Sequence, residues 1–91
     1  MKYSFEWDPA KAAANEAKHG IAFAEAVSVF LDPLVQRDPD DDHSFYEPRF
    51  SAIGMSQLGR LLIVTYTEPG DRIRIISARK PTRREVANYE G

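Results

Sequence analysis

The sequence contains no cysteine and no long hydrophobic run. Without thiols, the chain cannot form disulfides, bind zinc through thiolates or use a cysteine nucleophile. No stretch approaches the roughly 18 consecutive apolar residues that a membrane span requires. The N-terminal residues through Trp7 lack the apolar segment of a secretion signal. These absences predict a cytoplasmic protein that is neither exported nor bound to a membrane.

The chain also lacks a large excess of charge of either sign. Its net charge of −2 argues weakly against nucleic-acid binding, because affinity for phosphate comes from clustered lysine and arginine. The charges are unevenly distributed, however: the segment from Leu58 to the C-terminus carries seven basic and four acidic residues, and the first 57 residues carry five and ten. This asymmetry favours a basic surface that could bind nucleic acid or an acidic partner. The alternative is that these charges are only solvated surface groups.

A length of 91 residues and a hydrophobic fraction of 43% predict one domain, residues 1–91, that folds alone, because so short a chain cannot support two cores. Alternation of Tyr3, Phe5 and Trp7 with polar residues predicts a strand over residues 2–7, with Trp7 in the core. Asp8 and Pro9 are typical of a helix start.

Two helices are predicted next. In the first, an alanine stripe is expected to pack closely, and His19-Gly20 ends the helix. The stripe consists of Ala10, Ala13, Ala14 and Ala17, and the opposite face carries Lys11, Asn15 and Lys18. The second helix has apolar residues at Phe23, Ala26, Val27 and Phe30 and ends at Asp32-Pro33.

Strands dominate the remaining chain. Residues 34–37 are predicted as a short strand, and residues 38–43 as a polar loop. Three further strands are expected over residues 45–55, 60–68 and 72–79, with Pro48 marking an edge or bulge. A capping box from Thr82 to Glu85 begins a helix that continues through Tyr89. The predicted class is α+β, a twisted and mainly antiparallel sheet with helices on one face.

Several blocks of the sequence resemble the BrnT family of toxins, in the same order. They are residues 5–15, 18–21, 30–33, 53–54, 63–67, 74–79 and 85–89. Two departures from the family pattern are Ala22, where a serine-like helix cap is common, and Pro48 after Glu47. Ordered blocks that cover nearly the whole chain are far more specific than one short motif.

The resemblance implies a RelE-like fold and a ribonuclease that needs no metal or other cofactor and inhibits translation as part of a type II toxin-antitoxin system. It also implies a BrnA-like antitoxin with a ribbon-helix-helix domain, so that DNA is contacted only indirectly, through the antitoxin complex. Two other interpretations remain: a non-catalytic module that binds nucleic acid or protein, and a purely structural subunit. The structural subunit would need an exposed apolar patch.

Cleavage of RNA without a metal requires a base for the 2′-OH, a cation for the phosphate and an acid for the leaving oxygen. Arg79 is the first choice for the cation, because guanidinium binds phosphate in a bidentate manner and Arg79 lies in one of the family blocks. The alternative for Arg79 is a solvated arginine at a strand end. Regular alternation places Arg72, Arg74, Ile76 and Ala78 on one face of the last strand and Ile73, Ile75, Ser77 and Arg79 on the other. A bulge near Ser77 would bring the arginines together, and the sequence leaves this open.

Other catalytic candidates are Lys18 and His19, which could stabilise charge and transfer protons. His19 could equally be a helix C-cap near the negative end of the dipole. Glu47 and His43 are alternative bases, with Arg49 beside Glu47, although a surface salt bridge also explains the latter pair. The predicted RNA contacts are Arg60, Tyr66, Thr67, Arg72, Arg74, Arg83 and Tyr89, of which Tyr89 could instead be a core residue.

No metal site is predicted. Asp38, Asp40 and Asp42 imitate the start of a calcium loop. The glycine that such a loop needs is missing, and Arg49 stands where the last ligand should be a glutamate. The aspartates are therefore interpreted as a solvated turn.

Overall fold

The computed structural model describes residues 4–40 and 47–91. In these ranges the chain forms three helices and five strands. In chain order they are β1 (Ser4–Glu6), α1 (Pro9–His19), α2 (Phe23–Val29), β2 (Gln36–Pro39), β3 (Arg49–Met55), β4 (Leu61–Thr67), β5 (Arg72–Arg79) and α3 (Arg83–Glu90). The α+β class is confirmed.

The described strands form one sheet in the order β1-β5-β4-β3-β2. The pairs from β2 to β5 are antiparallel, whereas β1 is parallel to β5. Because β1 has only three residues, it covers β5 from Arg72 to Arg74 and leaves the rest of that edge to α1.

The two faces of the sheet differ in what covers them. The face called here the helical face packs against α2 and carries Ala52, Val64 and Ile75 in the buried core. The opposite, open face carries Ser51, Thr65 and Ser77, since side chains alternate along β3 and β4. Phe23, the first residue of α2, and Phe30, its C-cap, are also buried, as their spacing in the sequence predicts.

Helix α1 lies against β5 through Asn15 rather than through alanine. The Asn15 side chain is 7% exposed, donates to the carbonyls of Ile21 and Ala78, and accepts from the Ala78 amide. Its amide group therefore replaces the strand that β5 lacks at this edge. The predicted packing of the alanine stripe is wrong: Ala10, Ala13, Ala14 and Ala17 are all exposed. The predicted caps, Asp8 and Gly20, are both confirmed.

Other differences from the sequence predictions are local. Strand β2 begins at Gln36 rather than at residue 34 and includes Pro39 at the exposed edge of the sheet. Strand β3 begins at Arg49, after Pro48; residues 41–46, with which the prediction began, lie outside the described ranges. Trp7 is not a core residue, because it remains 37% exposed, although its ring forms a T-shaped contact with that of Phe23.

Helix α3 contacts the open face instead of joining α2. Glu85 in its first turn binds Arg79 on β5, and the Tyr89 carbonyl near its end accepts a hydrogen bond from Gln36 on β2. None of its residues is buried. The capping box of Thr82 and Glu85 is present as predicted. The expectation that all helices pack on one face is therefore wrong for α3. No described helix has the length and apolar character needed to cross a membrane.

Candidate active site

A bulge in β5 determines which side chains reach the open face. Thr65 pairs with Ser77, but Tyr66 pairs with Ile75, so that Ile76 is an extra residue in β5. Beyond it the alternation is reversed: Ala78 is buried in the core, and Ser77 and Arg79 lie on the open face with Arg74. The regular alternation predicted for this strand is therefore wrong. The structure contains a bulge near Ser77, the possibility that the sequence left undecided.

The bulge forms the floor of a polar depression, here called the arginine pocket. It has a volume of about 250 Å³ and is lined by Asp40, Arg49, Thr65, Ile76, Ser77 and Arg79. Two guanidinium-bearing residues from strands β3 and β5 thus border one cavity, with two hydroxyl groups between them. This arrangement can bind a phosphate through charge and hydrogen bonds.

Arg79 is oriented by helix α3. Its Nη1 and Nη2 atoms donate to the two carboxylate oxygens of Glu85 at 2.8 and 2.9 Å, and Nη1 also donates to the Lys80 carbonyl at 3.2 Å. The hydrogen bonds from Arg79 hold the pKa of Glu85 at about 2, and the same contact raises the pKa of Arg79. Both groups are therefore charged at neutral pH.

These contacts use three of the five guanidinium protons of Arg79. The proton on Nε and the second proton on Nη2 lie on the same side of the guanidinium group. Neither is donated to an acceptor in the ranges 4–40 and 47–91. This pair can bind two oxygens of one phosphate while Glu85 holds the other side.

A second depression, the α1 pocket, adjoins the first. It has a volume of about 230 Å³ and is lined by Lys11, Ala14, Asn15, Lys18, His19, Ile76 and Ser77. Because Ile76 and Ser77 line both pockets, the two depressions meet at the bulge. The structure thus places Lys18 and His19, candidates from the sequence, in a pocket that shares Ile76 and Ser77 with the pocket of Arg79 and Arg49.

Other predicted residues form a separate ion-pair cluster at β1. Arg74 binds Glu6 at 2.7 Å and lies 3.6 Å from Glu47, and Arg72 binds Glu6 at 3.0 Å. Hydrogen bonding to Glu6 raises the pKa of Arg74. Glu47 therefore contacts Arg74 rather than lining the arginine pocket, and the predicted pair of Glu47 with Arg49 is not found among the contacts that the structure gives for Glu47.

Three of the predicted RNA contacts have structural roles instead. Tyr66 is 1% exposed, and its hydroxyl accepts a hydrogen bond from Arg37, so it cannot stack on a base. Thr67 is also 1% exposed. Arg60 binds the buried Glu25 through Nε and Nη2, at 2.8 and 2.6 Å, beside α2. These contacts give the three side chains structural roles, and the RNA contacts predicted for them stay predictions.

Two predicted RNA contacts lie on α3. Arg83 is exposed at the first turn of the helix. Tyr89 is half-buried, with its hydroxyl 3.5 Å from Asp32 at the far end of the helix, and burial together with that carboxylate raises its pKa. Neither residue lines the arginine pocket. His43 lies outside the described residues.

Sequence reasoning missed the three other polar residues of the arginine pocket: Asp40, Thr65 and Ser77. Asp40 was grouped with its acidic neighbours, and no short pattern in the sequence separates it from them. Ser77 would have been found if the bulge had been assumed, because the bulge alone moves it from the helical face to the open face.

A larger depression of about 300 Å³ lies at the other end of the sheet, among Ser28, Leu31, Asp32, Met55, Ser56 and Gln57. No lysine, arginine or histidine is among these lining residues. Its Asp32 carboxylate accepts hydrogen bonds from the amides of Leu34 and Met55, which lower its pKa. This depression offers no cation for a phosphate and is therefore a poor candidate for the same chemistry.

The fold is similar to that of a solved bacterial ribonuclease toxin. The 1.1 Å crystal structure of the Brucella abortus ribonuclease toxin BrnT aligns with 90% of this chain and 100% of its own, at a TM-score of 0.71 and 26% sequence identity. This similarity defines the class of protein as a small toxin with a ribonuclease fold. None of the curated proteins compared with the chain matches it.

The family follows from the sequence itself. The model of the BrnT family, described as ribonuclease toxins of type II toxin-antitoxin systems, matches residues 7–85. The chain belongs to this family, and the resemblance noted from its sequence blocks is confirmed. Membership in a type II system implies an RNA substrate and an antitoxin partner.

Proposed function

We propose that this chain is an endoribonuclease that cleaves RNA without a metal ion in the cytoplasm and thereby inhibits translation. We further propose that a BrnA-like antitoxin with a ribbon-helix-helix domain neutralises it and links it indirectly to DNA. The observation that carries the proposal is the bulge at Ile76, which brings Ser77 and Arg79 to one cavity with Arg49.

The roles of the pocket residues follow from the chemistry of the reaction. The 2′-oxygen attacks the adjacent phosphorus, the bond to the 5′-oxygen breaks, and a 2′,3′-cyclic phosphate and a 5′-hydroxyl are formed. Negative charge accumulates on the non-bridging oxygens during attack. Arg79 is suited to bind two of these oxygens through the free side of its guanidinium group, and Arg49 supplies a second positive charge. These cations can provide the charge stabilisation that other nucleases obtain from a metal.

Two groups at opposite sides of the bulge can transfer protons. Asp40 in the arginine pocket can accept the proton of the 2′-OH, and His19 in the α1 pocket can donate one to the leaving 5′-oxygen. Lys18 lies beside His19 and can stabilise the charge of the departing oxygen. Ser77, which borders both pockets, is placed to hydrogen-bond the phosphate between them.

The proposal is tested with purified protein, a labelled RNA and excess chelator. We expect cleavage to continue in chelator and to yield cyclic phosphate ends. Arg79→Ala should lower the cleavage rate by about 100-fold, the typical loss of one preorganised charge donor. Arg84→Ala removes the same charge from an exposed site on α3 and is the matched control. Salt-dependent RNA binding without new ends would instead show a non-catalytic binding module.

The antitoxin is tested in cells. Expression of the chain alone should stop growth and protein synthesis, co-expression of the neighbouring gene should restore both, and Arg79→Ala should remove the need for that gene. Normal growth in cells that contain the intact protein without the product of the neighbouring gene would refute the toxic function.

A further inference from the structure

We propose that the α1 pocket is a second nucleotide site for the same RNA strand, in which Lys11 binds the phosphate that neighbours the scissile one. This inference rests on the proposed function in assuming that the scissile phosphate lies at Arg79. It assigns a ligand to Lys11, a residue for which the sequence suggested no role.

The geometry of the bulge supports a continuous path. Ile76 and Ser77 line both pockets, so an RNA strand that leaves the arginine pocket on the side of α1 passes over these two residues into the α1 pocket. Each pocket is of the size of one nucleotide rather than of a helix, at about 250 and 230 Å³. The path therefore fits single-stranded RNA, whose bases are unstacked and accessible.

The lining of the α1 pocket suits both parts of a nucleotide. Lys11 and Lys18 are exposed and lie one above the other on α1, and no carboxylate is among the described side chains that line the pocket. Ala14 and Ile76 provide an apolar surface for a base. Asn15 cannot take part in recognition, because both ends of its amide group are bonded to the main chain of Ile21 and Ala78.

The packing of α1 explains why this face is available. Asn15 turns the side of the helix with Lys11, Ala14 and Lys18 toward the edge of β5, and Ala10, Ala13 and Ala17 are left outside the pocket. The lysines are thus held beside the bulge by a buried contact at the centre of the helix.

The experiment compares substrates that differ only in length. In a dinucleotide and two tetranucleotides, only the nucleotide on the 5′ side of one linkage keeps its 2′-OH, and every other nucleotide is 2′-O-methylated, so that each substrate has the same single cleavable linkage. The tetranucleotides extend the dinucleotide on the 5′ or the 3′ side. For the wild-type protein, the 3′ extension should raise kcat/KM, because His19, proposed to protonate the leaving 5′-oxygen, lies in the α1 pocket. Lys11→Ala should remove about threefold to fivefold of that gain, the upper range for one exposed ion pair, through KM rather than kcat.

Binding of a fully 2′-O-methylated tetranucleotide provides a measurement that does not depend on catalysis. Lys11→Ala should lower the slope of log affinity against log salt by about 0.7, the value for one phosphate contact on a single strand. Lys11→Arg should retain the slope, and Arg84→Ala, with the same loss of charge, should not change it.

The outcomes separate the two proposals. If the wild-type protein cleaves no substrate, the proposed function fails, and the binding experiment alone decides the second site. If it cleaves, but Lys11→Ala affects the dinucleotide and both tetranucleotides equally, or leaves the salt slope unchanged, the second site is refuted while the proposed function stands.

Discussion

The side-chain amide of Asn15 on α1 forms hydrogen bonds with both main-chain groups of Ala78 on β5, at 2.9 and 3.0 Å. In a sheet these groups would pair with a neighbouring strand. Strand β1 ends at Glu6, opposite Arg74, so it does not reach Ala78. One side chain thus attaches the first helix to the strand that carries Arg79.

Replacement of Asn15 by alanine should destabilise the fold. The Ala78 amide and two carbonyl groups would lose their partners at a buried site, at a cost of about 2–4 kcal/mol for the set. Urea unfolding of Asn15→Ala measures this cost, and Glu16→Ala, an exposed change on the same helix, is the control. Equal stability of the two variants would contradict the structural role of Asn15.

A substitution at Thr67, unlike the one at Asn15, should raise the stability of the fold. The Thr67 hydroxyl is buried and has no hydrogen-bond partner among residues 4–40 and 47–91. Thr67→Val keeps the shape and removes the unsatisfied oxygen, so the variant should be more stable by about 1 kcal/mol. Because Thr67 is inaccessible, the rate of RNA cleavage should be unchanged. A large loss of cleavage with normal stability would restore the RNA contact that the sequence suggested.

Glu85 should act by positioning Arg79. Glu85→Gln keeps an oxygen for the capping box with Thr82 but loses the bidentate carboxylate that holds the guanidinium group. The guanidinium group of Arg79 is then held less firmly, and its positive charge is no longer balanced by the Glu85 carboxylate. We expect kcat to fall about tenfold, since small displacements of a catalytic group are costly, and KM to stay constant or fall. If Glu85 had only a structural role, the substitution would change the stability of α3 without lowering kcat at a constant or lower KM.

Glu85 also determines the lowest pH at which its contact with Arg79 persists. Its pKa of about 2 lies below the ordinary value of 4.5, so the Arg79–Glu85 contact is fully charged at neutral pH. Hydrogen exchange of the α3 amides should therefore show the helix docked down to about pH 3, with release at lower pH, whereas docking in Glu85→Gln should show no such transition.

The pair of Glu25 and Arg60 should make stability depend on pH. The hydrogen bond from Arg60 lowers the pKa of Glu25, against the opposing effect of burial. The unfolded chain therefore binds a proton at Glu25 before the folded chain does, and stability falls as the pH decreases through and below the ordinary value of 4.5. The difference in unfolding free energy between wild type and Glu25→Gln should be largest at pH 7 and should decrease toward pH 3. A constant difference would refute the assignment.

Local signals in the sequence predicted much of this fold. The helix caps at Asp8, Gly20 and Thr82, and the turns near Gly59 and Gly70, depend on residues close to one another in the chain, and they lie where the sequence places them. The side chains of Asp8 and Thr82 accept hydrogen bonds from backbone amides, and the three glycines adopt positive φ angles because they have no side chain.

Long-range relations were harder to predict. The alanine stripe of α1 has the periodicity of a buried face, but Asn15 has a stronger reason to be buried, because the edge of β5 requires a hydrogen-bonding group at Ala78. That requirement arises only from the shortness of β1, a property of the sheet and not of the helix. The alternation of residues in β5 also does not distinguish a regular strand from one with a bulge at Ile76. The sequence therefore could not place Ser77 and Arg79 on the open face.

The pairing of the first strand with the last has a consequence for synthesis of the chain. Residues 4–6 find their neighbours only at residues 72–74, and Asn15 finds its own only at Ala78. Until translation is nearly complete, a nascent chain on the ribosome therefore lacks the pairing of β1 with β5. It also lacks Arg79, one of the two arginines of the arginine pocket. Fragments released by premature termination should be harmless, so the cell has to guard only against the full-length product.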